Sequence, residues 1–471
     1  MNKLLSFAIL IGITLSLSAQ NTSEFDTEDL LSTGLPLVEI ETVDGEMPTC
    51  EYVDHPEGAH GQGITNMNKV EARLLIRRGG DILYDSGDYQ KGESGMTIRV
   101  RGNSSAYSEK KPYKIKLQKK ADLLCRGNNA KYEDKDWLLL KENRLTLNTQ
   151  VGLKVNSMLN MQWTPARMLV NVLLNGDYRG VYMLAESVKR NESCRLNVSK
   201  SGYVFEYDPY WWNDEVYFET SFTTSPDAKF TFKEPDPDDI TEQQIDYLHD
   251  VMETIEKSLS SGSYPEYIDV QSFASWLLTQ DILGNYDGHG SNVFMTKYDD
   301  TSESKVMMAN LWDFDAIMKT PGVWSNSHRI LYYGALLDSE NPLFVEEYKK
   351  VWKRVGPTLA EDMESFLDEY VNSDEGKGLD KSIPFESRRW GSVKRTVAEM
   401  AEETLAWFQT REPWLDNAMN AIDASVNEPK TSVLPSSYYN LHGHRIPMPS
   451  RGVTIVRMSN GQVVKICQAK D

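Results

Sequence analysis

Residues 285–298 read Asn285-Tyr286-Asp287-Gly288-His289-Gly290-Ser291-Asn292-Val293-Phe294-Met295-Thr296-Lys297-Tyr298, and the fold turns on what stands to either side. Upstream, Phe273, Trp276, Leu277 and Gln280 recur at i, i+3, i+4 and i+7, which predicts one face of a helix over 270–284. The quoted stretch opens as a loop dense in Gly, Asp and Asn and passes at Val293 into a strand. A turn over 299–304 and a second strand over 306–311 follow, and the chain then reads Trp312-Asp313-Phe314-Asp315. The expected order is helix, loop with Asp287 and Asn292, hairpin, and a further pair of aspartates.

Two readings of that order stand side by side. Asp, Gly and Asn form turns with no ligand at all. The same order can gather three or four oxygen ligands around one pocket, which suits a hard cation such as Mg²⁺ held by one or two carboxylates and substrate phosphates. Phosphoryl transfer uses such a set: an Asp to orient the attacking hydroxyl, an Asn and an Asp for metal, a Lys for phosphates. A calcium loop would need D-x-[DN]-x-[DN]-G spacing, which this stretch lacks.

Working outward, Leu37–Glu41, Val70–Ile76, Thr97–Arg101 and Tyr113–Leu117 alternate as strands do, and Lys114 and Lys116 share one face of theirs. Val151, Val155, Met158 and Leu159 predict a helix over 148–159, and Asn175-Gly176-Asp177 joins strands over 168–174 and 180–185 in a hairpin. Thr241 with Gln244 predicts a capping box for a helix reaching about Leu259, and the chain to about Ala424 reads as mostly helical. The expected class is α+β, with a β-rich N-terminal part and a mostly helical C-terminal part in a domain over 35–424. Residues 425–437 read as a linker and 438–471 as a small module of three short strands. Residues 20–34 read as a mobile leader. Residues 1–19, with Lys3, an apolar run over 4–17 and Ser18-Ala19, read as a secretory signal peptide.

The totals agree with a folded, exported protein. The 471 residues, 40 % hydrophobic and 25 % charged, suit roughly two or three globular domains. Fifty basic against 70 acidic side chains give a net charge of −20, which excludes a general nucleic-acid binder. No later run approaches the ~18 apolar residues of a membrane-spanning helix. Export places Cys50, Cys125, Cys194 and Cys467 where disulfides form, with three full pairings open and no zinc-motif spacing among them. The basic stretch from Arg99 to Lys120, interrupted only by Glu109, is either a solvated face or a local anion site.

Taken in order, several motifs resemble the CotH (spore coat protein H) kinase family across about residues 35–420. They are Arg101-Gly102-Asn103-Ser104-Ser105, Lys110-Lys111-Pro112-Tyr113-Lys114-Ile115-Lys116-Leu117, Asp136-Trp137-Leu138-Leu139-Leu140, Leu174-Asn175-Gly176-Asp177-Tyr178-Arg179-Gly180-Val181-Tyr182-Met183-Leu184-Ala185-Glu186, Gly202-Tyr203-Val204-Phe205-Glu206-Tyr207-Asp208 and Trp312-Asp313-Phe314-Asp315. The resemblance implies an atypical protein-kinase-like fold of two lobes, β-rich then mostly helical, using ATP with Mg²⁺ or Mn²⁺ on Ser or Thr of an extracytoplasmic protein. It implies Asp287 as the catalytic residue, Asn292 and Asp313 as metal ligands, and Asp315 as the second choice. Lys114 or Lys116, with Arg101, would meet the phosphates, and Met183–Glu186 would be a hinge whose backbone bonds adenine. The rival reading is a surface adhesin or scaffold that keeps this fold without turnover.

Four further features carry less. His289 reads as a bystander beside Asp287, Glu142 as a surface charge, and Trp211-Trp212 as core or lobe interface instead of a carbohydrate platform. His442-x-His444 lacks a third metal ligand nearby. The segment from Tyr438 resembles the sorting domain of type IX secretion cargo, which implies delivery to the cell surface by that machinery.

Overall fold

The structure is a computed structural model. It describes residues 25–424 apart from 58, 60, 66–67, 128, 142–144, 223–227, 289, 291, 311, 339–341 and 392–394, and then 435–440, 444–446, 452–458 and 463–468. The expected signal peptide lies outside the described residues, as does most of the expected linker.

The chain first forms helix α1 (Thr27–Ser32), capped by Asp26, whose side chain accepts from the Glu28 amide. Leu30 and Leu31 pack with Phe25, Leu37, Leu173 and Tyr178. Residues 25–34 are therefore a docked element and not the mobile leader expected, because three apolar side chains among the acidic ones find a cleft to fill.

Strands β1 (Leu37–Thr42), β2 (Glu51–Asp54), β3 (Gln62–Thr65), β4 (Val70–Arg78), β5 (Asp81–Asp85), β6 (Met96–Val100), β7 (Tyr113–Ala121) and β8 (Asp134–Lys141) precede helix α2 (Asn148–Met158). Strands β9 (Arg167–Leu174) and β10 (Asp177–Glu186) follow, joined through Asn175 and Gly176, both with positive φ as a two-residue hairpin requires. The sheet order is β1-β9-β10-β8-β7-β6-β4-β5. Because β1 also pairs antiparallel with β4, seven of these strands close into a barrel and β5 lies outside it. Closure removes the exposed edges of those strands. Alternation fills the interior with Val38, Leu74, Ile98, Val100, Ile115, Trp137, Leu139, Val170 and Leu184.

A second sheet has the order β12-β13-β11-β14-β15, from β11 (Tyr203–Asp208), β12 (Tyr217–Phe218), β13 (Lys229–Glu234), β14 (Val293–Lys297) and β15 (Val306–Met308). The expected hairpin over 293–311 is thus one edge of a five-stranded sheet. Tyr203, Phe205, Phe230, Phe232, Val293 and Met295 turn to the helical core, which leaves the other face for a cleft.

Helix α3 (Glu242–Ser261) starts at the expected capping box, where Thr241 Oγ1 accepts from the Gln244 amide and the Gln244 side chain accepts from the Thr241 amide. Helix α4 (Val270–Leu283) is buried from Phe273 to Leu283, on every side and not on one face as its periodicity suggested. A helix buried on all sides belongs at the centre of a helical layer. Around it and behind the barrel lie α5 (Tyr333–Leu336), α6 (Pro342–Val355), α7 (Leu359–Asn372), α8 (Asp374–Trp390) and α9 (Val397–Ala424). The C-terminal strands are β16 (Pro435–Tyr439), β17 (Arg445–Ile446), β18 (Gly452–Met458) and β19 (Val463–Gln468), paired in the order β17-β16-β18-β19. Among the described residues they number four, not three, and begin at Pro435 inside the segment read as linker.

Candidate functional site

The site is a cleft of about 830 Å³ between the outer wall of the barrel and the free face of the second sheet. Alternation along β6 and β7 puts Ile98, Val100, Ile115 and Leu117 inside the barrel, so Arg99 and Lys114 project outward into the cleft. On the opposite wall the same rule presents Glu206 and Asp208 from β11, Lys233 from β13 and Phe294 from β14. Arg101, Gly102, Asn103, Ser104 and Ser105 form a loop at one end. Gly102 has φ +85°, a conformation a side chain would strain.

Asp287, Asn292 and Asp313 meet in this cleft. Helix α4 ends at Gly284, in the left-handed conformation, and Asn285 then turns the chain by accepting the Asp287 amide on its side chain at 3.0 Å. The loop is pinned by the Tyr286 amide to the Ala316 carbonyl at 3.1 Å, and by Ser327, whose hydroxyl donates to the Gly288 carbonyl. Asn292 and Asp313 both hold positive φ, 61° and 69°. Left-handed backbone at residues other than glycine costs about 1–3 kcal/mol and clusters at functional sites. Asp313 Oδ1 accepts the Asp315 amide at 3.1 Å, and Asn148 at the start of α2 donates to the Phe314 carbonyl at 3.0 Å.

A second, smaller cavity adjoins the first and shares Arg101, Ser105, Trp312 and Asp313 with it. Asp315, Lys141, Met183 and Ala185 line this one. Loss of surrounding water pushes the Asp313 carboxyl above its ordinary range, and Asp287 adds repulsion. The same causes, dehydration and then repulsion from Asp313, push Asp315 up to about 6. Both carboxyls remain open to solvent through the cavities, which screens these interactions. Burial lowers Arg101, offset in part by Asp313 and Glu206, and burial lowers Lys141 against the pull of Asp315.

Two expected site residues fall elsewhere. Lys116 is exposed beyond both cavities, two residues along the strand from Lys114. Glu186 is buried, with one oxygen accepting from Arg126 Nη1 at 2.9 Å and the other from the Ala166 amide at 3.0 Å. The hinge over Met183–Glu186 is corrected: Met183, Leu184 and Ala185 pair with β8 on one side and β9 on the other, so their backbone groups are already used. Lys114 does reach the cleft, 3.4 Å from Asp136, and burial lowers its pKa. His289 and Glu142 lie outside the described residues, and so does His442 of the His442-x-His444 pair. Trp211 takes the Lys229 ammonium over its ring at 3.9 Å, and Trp212 abuts Gly63 of β3. Cys50, Cys125 and Cys194 are free thiols, and the Cys467 side chain is outside the described residues.

Sequence reading passed over Lys141, Glu206 and Lys233 as site residues. The available signal was an acidic residue mid-strand in Tyr203-Val204-Phe205-Glu206-Tyr207-Asp208, where one face is apolar and the other should be explained. Glu206 Oε1 accepts the Asn292 amide at 3.1 Å, and its other oxygen lies 3.1 Å from Lys233 Nζ. Burial pushes Glu206 up to about 7.

The donor set fits a hard divalent cation: oxygen atoms only, on carboxylates that repel one another. Among the described residues no three His, Cys, Asp or Glu side chains stand close enough to hold a metal alone. A cation here would take Asn292 with Asp313 or Asp315 and draw its remaining oxygens from substrate or water.

Fold and cleft define a mixed α+β protein whose carboxylates, amide and guanidinium converge from two sheets. The family model described as CotH kinase protein matches residues 98–415, about two thirds of the chain, and the chain belongs to that family. Membership points to a kinase-like function. No curated protein matches the chain.

Proposed function

We propose that the protein is a secreted, metal-dependent kinase that transfers the γ-phosphoryl group of ATP to a Ser or Thr hydroxyl of an extracytoplasmic protein. The observation that carries this reading is the convergence of Asp287, Asn292 and Asp313 in one cleft that Arg101 also lines. The barrel with the second sheet and helices would act as the two lobes of a kinase-like fold. The signal-peptide reading and the sorting-like C-terminal module support a route to the cell surface by type IX machinery.

In this reading Asp287 orients the acceptor hydroxyl and takes up its proton as the oxygen attacks the γ-phosphorus and the bond to the bridging oxygen breaks, releasing ADP. Mg²⁺ or Mn²⁺, held by Asn292 and Asp313 with Asp315 in reach, would neutralise phosphate charge when bound. Arg101 and Lys141 flank those carboxylates and would meet phosphate oxygens, and Lys114 lines the larger cavity beside Asp136. Charges held in place by the fold stabilise developing negative charge without reorganising.

The test is the melting temperature of the full chain with and without ATP and Mg²⁺ or Mn²⁺, beside Asp313→Ala. A ligand at 100 times its Kd adds about 2.7 kcal/mol, several degrees in Tm. A metal-dependent rise absent from Asp313→Ala is expected. Asp287→Ala should keep the rise and lose incorporation of labelled phosphate into protein. No rise at millimolar ATP with either metal would discard the kinase reading in favour of a surface-binding protein.

A further inference from the structure

The cleft face of the second sheet holds an ion pair that the proposed chemistry does not use. Glu206 is buried in the middle strand, β11, and Lys233 reaches it from β13, its neighbour. A largely buried pair often contributes no more to stability than apolar residues of the same volume would. On the reverse face of the same strands Phe205, Phe230 and Phe232 are apolar. The pair therefore calls for an explanation at the cleft and not in the core.

That explanation lies one strand away. Asn292 stands immediately before β14, which pairs with β11 so that Glu206 faces Phe294 and Tyr207 faces Val293. The Asn292 backbone is left-handed, and its amide donates to Glu206 Oε1 at 3.1 Å. Beside the Lys233 ammonium, an ionised Glu206 is a stronger acceptor for this amide than a neutral side chain would be. Lys233, 3.1 Å from the other oxygen, keeps the carboxylate from swinging away into the cleft. The geometry points to Glu206, held by Lys233, as the positioning residue that fixes Asn292 for the metal–nucleotide complex. This inference rests on the proposed nucleotide site. Neither residue touches the metal; each acts through the backbone of one of its ligands.

Partners in the shell behind a metal ligand typically change metal affinity by about 10–100-fold when removed. The experiment is equilibrium binding of Mn²⁺–ATP to the full chain, read by calorimetry well below Tm, for the wild type, Glu206→Gln, Lys233→Met and Lys233→Arg. Glu206→Gln keeps the shape and a neutral acceptor, so it guards against a variant that does not fold. Both Glu206→Gln and Lys233→Met are expected to raise the Kd for Mn²⁺–ATP about tenfold or more, and Lys233→Arg to stay within about threefold of wild type. A merely structural role would lower Tm and leave the Kd unmoved. Wild-type affinity in Glu206→Gln therefore overturns the inference while the nucleotide site stands. Absence of Mn²⁺–ATP binding by the wild type overturns both together.

Discussion

Lys114 and Lys141 are both lysines on barrel strands, and their surroundings assign them different work. The Lys114 ammonium lies 3.4 Å from Asp136, a carboxylate that Lys189 also meets at 2.6 Å, so it belongs to an ion cluster on the barrel wall. Lys141 ends its strand in the cavity that contains Asp313 and Asp315, with its Nζ donating to Ser108 Oγ. Phosphates bridging to a cation at those aspartates would come within reach of Lys141 before Lys114. Lys141→Met is therefore expected to weaken metal-dependent nucleotide binding at least tenfold, about 1.4 kcal/mol, while Lys114→Met changes it by less than threefold. Equilibrium dialysis with labelled ATP measures both, and the reverse ranking would return the phosphate role to Lys114.

Helix α2 sets the Asp313–Asp315 pair through one missing side chain. Gly152, buried midway along it, receives the ring of Phe314, and a Cβ built there would collide with that ring. Asn148, at the start of the same helix, holds the Phe314 carbonyl at 3.0 Å. Ordinarily Gly→Ala inside a helix gains up to about 1 kcal/mol in propensity. Here overpacking should cost about 1–3 kcal/mol and push Phe314 outward, carrying Asp313 and Asp315 with it. Gly152→Ala is expected to lower the urea midpoint and to lose most of the nucleotide-dependent rise in Tm. A variant that is stabilised and still responds fully to nucleotide would show that the ring yields without moving the aspartates.

At the scale of the whole molecule, barrel and helices are joined by a buried lock. Lys110 Nζ meets Glu386 Oε1 of α8 at 2.6 Å and the Val181 carbonyl at 2.8 Å, and Glu386 Oε2 accepts the Val181 amide at 2.7 Å. Lys110→Met leaves a carboxylate buried without its cation, which should cost about 3–5 kcal/mol. Chemical unfolding followed by tryptophan fluorescence checks this, and a loss under about 1 kcal/mol would mean that water replaces the ammonium. Much of this architecture was legible beforehand: the helix before Asp287, the hairpin at Asn175-Gly176, the capping box at Thr241 and the spacing of Asp287, Asn292 and Asp313 are written in local periodicity and turn chemistry. Those features depend on residues a few positions apart, so one sequence determines them. Closure of the barrel by β1 against β4, the burial of α4 on all sides and the docking of α1 depend on partners far along the chain. The same holds for the site, where Lys141 is distinguished from Lys116, Met183–Glu186 is enclosed between two strands, and Glu206 is brought beneath Asn292. Strand alternation offers each of these side chains a face, and only the tertiary pairing decides what that face meets.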